Sequence, residues 1–95
     1  MKLIKIIKST AKGKKWTAIF SKDDKEQKVN FGATGYLDYT IGATDKQREA
    51  YRARHDKEKN QPANTPGALS YHVLWGDSKS MKKNIDDFKK KYNLS

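Results

Sequence analysis

The chain contains no cysteine. No disulfide framework and no thiolate zinc site can form, and the absence fits a reducing compartment. Long apolar runs are missing as well. The stretch Met1 to Lys8 is broken by lysines at positions 2, 5 and 8, too interrupted for a secretory signal. No other run approaches the length of a membrane span. The expectation is an intracellular protein with no membrane partner. Hydrophobic residues are scarce, at 35%, so any core is small and net stability modest. Acidic residues are the fourth shortage: 11 Asp and Glu face 21 Lys and Arg, a formal charge of +10. The sequence also lacks a glycine-rich phosphate loop followed by Lys-Ser or Lys-Thr, and it lacks a serine elbow. His55 and His72 stand too far apart to form a local metal pair. The reading is a non-enzyme with no cofactor and no metal site.

What is present is a good supply of aromatics, two Trp, five Tyr and three Phe, spread along the chain. Each carries a large apolar area, which argues for a folded domain over a disordered tail. At this length residues 1–95 make one small basic domain. Leu3 to Ile7 is β-branched and apolar. In Trp16 to Phe20, Trp16, Ala18 and Phe20 alternate with Thr17 and Ile19. Val29 and Phe31 share one face of a third strand, with Lys28 and Asn30 on the other. The polar segments 11–14 and 21–25 read as turns, so these strands form an N-terminal meander. Gly32, Gly35 and Gly42 bracket an aromatic segment, of which Tyr36 to Ile41 reads as extended, a candidate fourth strand at the edge.

Helical signals follow. Thr44 and Gln47 have capping-box spacing and open a helix running to about His55. The polar segment 56–65 reads as the most mobile loop. Thr65-Pro66 opens a second helix carrying Leu69, Val73 and Leu74, and Gly76 follows as a stop. Ser78 or Ser80 caps a third, whose Met81, Ile85, Phe88 and Tyr92 form an apolar stripe. The expected fold is α+β: a small antiparallel sheet of three to four strands with three helices packed on one face.

A charge of +10 concentrates polyanions, and nucleic acid is the commonest of these. The plainer reading is a solvated surface that keeps a thin core in solution. Arg48, Arg52 and Arg54 lie together on the first helix, with His55 beside them. Arginine suits two-bonded grip on phosphate; pairing with Asp45 and Glu49 would instead neutralise Arg48 and Arg52. Lys12, Lys14 and Lys15 surround Trp16 in a basic hairpin. Phosphate contacts are therefore expected from Lys12, Lys14, Lys15, Arg48, Arg52 and Arg54. His72, within an apolar helix, reads as a structural histidine. Asp23, Asp24, Glu26 and Lys28 have the residue types of a metal-dependent nuclease, a third reading resting on residues that cluster easily by chance. Asp38 reads either as a site carboxylate or as the local hydrogen bond fixing an aromatic turn.

One ordered set of motifs goes further: Phe31-Gly32-Ala33, Gly35-Tyr36, Asp38-Tyr39-Thr40-Ile41, Arg48-Glu49-Ala50-Tyr51 with Arg54-His55, Gly67-Ala68-Leu69-Ser70, Leu74-Trp75, and Phe88 to Tyr92. From about Trp16 to Tyr92 the chain resembles a family of small basic proteins of unknown function encoded by large double-stranded DNA viruses. The resemblance implies a viral setting, in the virion or in the host cytoplasm or nucleus, and supplies no activity to carry over. It draws attention to polar and aromatic residues that could cluster where the extended segment meets the first two helices. A recognition cluster of Tyr36, Asp38, Tyr39, His55 and Trp75 is the sharper expectation; a buried hydrogen-bond network is the plainer one. The leading functional expectation is non-specific binding of DNA or RNA, as in genome packaging or condensation. The alternative is a minor virion protein whose basic surface meets acidic capsid, core or host proteins.

Overall fold

The computed structural model describes all residues, Met1–Ser95. Three strands, β1 (Lys2–Lys8), β2 (Lys14–Lys22) and β3 (Lys25–Ala33), form an antiparallel sheet in the order β1-β2-β3. The meander expected from the alternation is present. Phe20 faces Leu3, Ala18 faces both Ile6 and Val29, and Trp16 faces Phe31. These residues build the inner face. Opposite neighbours in the ladder carry Thr17, Ile19, Lys28 and Asn30, and Thr17 donates its hydroxyl proton to Asn30 at 2.6 Å. A register shift between Leu3 and Lys5 lets Leu3 and Ile6 share the inner face although they are three residues apart. Asp23 and Asp24 close the β2–β3 hairpin with φ of 52° and 63°, the left-handed pair that a two-residue turn between twisted strands needs.

Three helices complete the α+β domain: α1 (Asp45–Arg54), α2 (Pro66–Leu69) and α3 (Met81–Lys91). Thr44 and Gln47 form the full capping box of α1, and Thr65 and Ser80 cap α2 and α3. α2 does not stop at Leu69; Ser70–Leu74 continues it with the wider π-type winding, and Trp75 donates its N–H to Ser70 at 3.1 Å. Leu69, Val73 and Leu74 from this stretch and Phe88 from α3 pack on Phe20 and Phe31, making one core. The α3 stripe faces that core with Phe88 buried and Met81, Ile85 and Tyr92 half-buried. α1 buries no residue and lies at one end of this layer. Its hold on the rest is made by rings and arginines rather than by apolar burial.

Two features lock the turn between α2 and α3. A Cβ on Gly76 would lie 2.2 Å from the His72 carbonyl oxygen, so only glycine fits there. Asn84, on α3, is buried to 1% exposure, yet its amide donates to Val73 and Ser78 carbonyls while its oxygen accepts from the Ser78 N–H. It thereby satisfies backbone groups that the end of α2 would otherwise bury unpaired.

Two expectations are corrected. Tyr36 to Ile41 is not a fourth strand. β3 ends at Ala33, Tyr36 to Asp38 is irregular, and Tyr39–Ile41 is a single 3-10 turn. The Asp38 side chain accepts from the Thr40 N–H, giving the backbone a local partner in place of a sheet ladder. The segment 56–65 is not a featureless loop either: Asp56–Asn60 forms a 3-10 turn and Ala63 is buried in the core.

Candidate functional site

The site grows from the end of the sheet that carries Lys14 and Ala33, which pair across β2 and β3. Beyond Ala33 the chain turns at Gly35, whose φ of +84° is open to glycine at little cost. It then runs through Tyr36 and Leu37 to Asp38. The Asp38 carboxylate is almost wholly buried, at 2% exposure. It accepts from Lys15 Nζ at 2.8 Å, from the Thr40 N–H at 2.9 Å and from the Thr40 hydroxyl at 2.5 Å. Lys15 Nζ also donates to the Tyr36 carbonyl at 2.5 Å. One ammonium and one carboxylate thus pin a glycine-flanked segment against β2. In consequence Tyr36 and Leu37 stay at the surface, 72% and 55% exposed.

A ladder of three rings faces this segment. Tyr51 and His55, one helical turn apart on α1, stack at 4.1 Å between centroids; Trp75 stacks on Tyr51 at 4.4 Å, only 8° from parallel. The His55 Nδ1 lies 2.8 Å from a carboxylate oxygen of Glu58. Burial pushes the Tyr51 phenol up to about 12, with the Glu58 charge acting in the same direction and a Ser70 hydrogen bond partly opposing it. The phenol is therefore neutral at any physiological pH.

Between the ladder and the Tyr36 segment lies an open cleft of about 770 Å³, a size typical of small-ligand sites. Lys14, Lys15 and Arg54 line it together with Tyr36, Leu37, Tyr51, His55, Ser70 and Trp75. Lys14 and Arg54 are exposed and make no ion pair, whereas the Lys15 charge is matched by Asp38. The cleft's unmatched cations are thus Lys14 and Arg54, with the exposed Lys12 on the adjoining β1–β2 turn.

The structure divides the residues singled out in the sequence. Tyr36, Asp38, His55 and Trp75 line one cleft; Tyr39 does not. Its hydroxyl donates to Asp45 at 2.5 Å and its ring lies beneath the Arg48 guanidinium and the Lys79 ammonium. Arg48 and Arg52 turn away from the cleft, and the carboxylate that holds them is neither Asp45 nor Glu49 but Asp77. Its Oδ1 accepts from Arg48 at 2.5 Å and from Arg52 at 3.0 Å, while Arg48 also donates to the Gly76 carbonyl. The Arg52 hydrogen bond is the main cause holding the Asp77 carboxyl below its usual range. Arg52 further stacks over Tyr71 at 4.7 Å. These two arginines tie α1 to the α2–α3 turn. Asp23 and Asp24 serve the hairpin turn, at the end of β2–β3 opposite the cleft. His72 donates from Nε2 to the Lys59 carbonyl at 2.8 Å, and burial keeps its imidazole below the usual range. Tyr51, one of the motif residues quoted above, does join that cluster as the middle ring of the ladder. Asp77 is the residue that inspection of sequence passes over; 25 or more residues from its partners, it gave no signal.

Comparison with known proteins adds a setting. A family described as "Family of unknown function (DUF5754)" matches residues 4–55. An uncharacterized protein of Acanthamoeba polyphaga mimivirus is 36% identical to the chain over 80 residues, covering 76% of this chain and 80% of its own. No solved structure matches. The chain belongs to this family of unknown function, and the mimivirus protein is a relative of it. The matched span holds the sheet, the Tyr36 segment and α1; Ser70 and Trp75, on the other wall of the cleft, lie beyond it.

Proposed function

We propose that this member of a viral family of unknown function binds nucleic acid through phosphate contacts, without catalysis, and that the Lys14–Arg54 side of the cleft is where the backbone docks. The observation that carries the reading is the uneven use of charge. Of the 21 Lys and Arg, only Lys15, Arg48, Arg52 and Lys83 lie within 4 Å of a carboxylate. The rest stand unpaired, and among them Lys14 and Arg54 line the cleft, with Lys12 exposed on the adjoining β1–β2 turn. A cation that no carboxylate neutralises is available to displace counterions from a phosphate backbone, and that release drives sequence-independent binding. Lys15, matched by Asp38, adds little net field, and Arg48 and Arg52 share the Asp77 carboxylate and do not line the cleft.

Fluorescence anisotropy of labelled single- and double-stranded DNA over a salt series tests this. Binding should weaken linearly in log affinity against log salt. The double reversal Lys14→Glu/Arg54→Glu should weaken binding to all sequences alike and flatten the slope by about one unit for each phosphate no longer engaged. Arg48→Glu/Arg52→Glu should act on folding more than on affinity. Absence of binding at low salt would overturn the reading, and self-association or salt-insensitive capture of an acidic protein would favour the interaction-protein alternative.

A further inference from the structure

We infer that the cleft takes an unpaired base, so that the preferred ligand is a single strand and not a duplex; this rests on the nucleic-acid reading above. The cations explain attraction to phosphate, but they do not explain the walls. Tyr36 is the most exposed of the large hydrophobic side chains, at 72%, with Leu37 beside it at 55%. Exposed apolar groups at a chain end or on a slack loop need no account. Here they sit on a segment held at Tyr36 and at Asp38. Lys15 holds the Tyr36 carbonyl and the Asp38 carboxylate, and Asp38 holds Thr40. The fold thus commits a largely buried ion pair to keeping an aromatic face turned outward.

The opposite wall is also aromatic, the His55–Tyr51–Trp75 ladder. Lys14 and Arg54 line the same cleft. A ligand that matches such a site is planar and uncharged in one part and anionic in the next, as a nucleobase and its phosphate are. Base stacking on a tyrosine is tolerant of sequence because every base has a π face. In a duplex the base faces are covered by their neighbours, so a duplex offers the cations its phosphates and leaves Tyr36 with nothing to stack on. A single strand meets both demands.

The experiment compares three labelled ligands at one salt concentration: a single-stranded oligothymidylate, an abasic strand of the same length, and a duplex. The abasic strand keeps the phosphates and removes only the bases. The intact strand should bind roughly tenfold tighter than the abasic one, the difference expected for one stacked base. Tyr36→Ala, at a site too exposed to threaten folding, should erase that difference while leaving abasic binding unchanged. Equal affinity for intact and abasic strands would overturn the base site and leave the phosphate reading standing. Failure of all three ligands to bind at low salt would overturn both. Weaker abasic binding in Tyr36→Ala would also count against the inference, since it would show that Tyr36 acts through the phosphate backbone.

Discussion

Replacing Asp38 by asparagine keeps the size and shape of the side chain and removes its charge. The amide oxygen can still accept from the Thr40 N–H and hydroxyl, so the turn Tyr39–Ile41 keeps its cap. What changes is the bond to Lys15 Nζ, which loses its ionic partner while its own side chain remains only 14% exposed. A hydrogen bond to a charged group contributes roughly 1.5–3 kcal/mol, so Asp38→Asn should cost about 2 kcal/mol. In a domain of this size that corresponds to a fall in Tm of about 8–16 °C. Asp38→Ala also strips the Thr40 donors and strands the ammonium, and should cost about 3–5 kcal/mol. Urea unfolding followed by tryptophan fluorescence measures both. The decisive quantity is the coupling in a cycle of Asp38→Asn with Lys15→Met, expected above about 1 kcal/mol for partners in one largely buried pair. A coupling below about 0.5 kcal/mol, the usual limit for independent sites, would refute the claim that this pair fastens the Tyr36 segment.

Other expectations concern the packing. Gly76→Ala sets a methyl against the His72 carbonyl oxygen and should destabilise by about 3 kcal/mol, at the upper end of overpacking costs, or prevent folding, as denaturant melts would show. Asn84→Leu leaves the Val73 and Ser78 backbone groups unpaired; a loss of about 2–4 kcal/mol is expected by thermal unfolding, and no loss would mean those groups find other partners. The Tyr51 phenol is pushed up to about 12 in the folded protein, from an ordinary value of 10.0. The unfolded phenol therefore ionises first, and the stability it contributes below about pH 10 is lost as pH rises toward about 12. Tyr51→Phe should show a shallower fall of Tm over that range, and an unchanged slope would argue against burial of the hydroxyl. Arg48→Ala/Arg52→Ala should loosen α1, seen as faster amide exchange in residues 45–54, while leaving any affinity for DNA within about twofold, since the contacts proposed above come from Lys14 and Arg54.

The parts of this protein legible in its sequence are those governed by local rules. Period-two alternation marked the three strands because one face of a small sheet must be apolar. The Thr44–Gln47 capping box and the Met81–Tyr92 stripe were visible because their partners lie three or four residues away. The unmatched charge was visible as a sum, though not as a pattern. What tertiary structure alone decided is which cations remain free. Arg48, Arg52 and Lys15 looked like Lys14 and Arg54 until the fold brought Asp77 and Asp38 to the first three. The Tyr36 segment carried strand-forming residues, yet the Asp38 side chain caps a turn through the Thr40 N–H, Lys15 holds Asp38 and the Tyr36 carbonyl, and the Tyr36 ring stays outside. The cleft itself joins β2, the turn after β3, α1 and the π-wound end of α2. Its existence depends on distances between residues far apart along the chain, and only packing sets those.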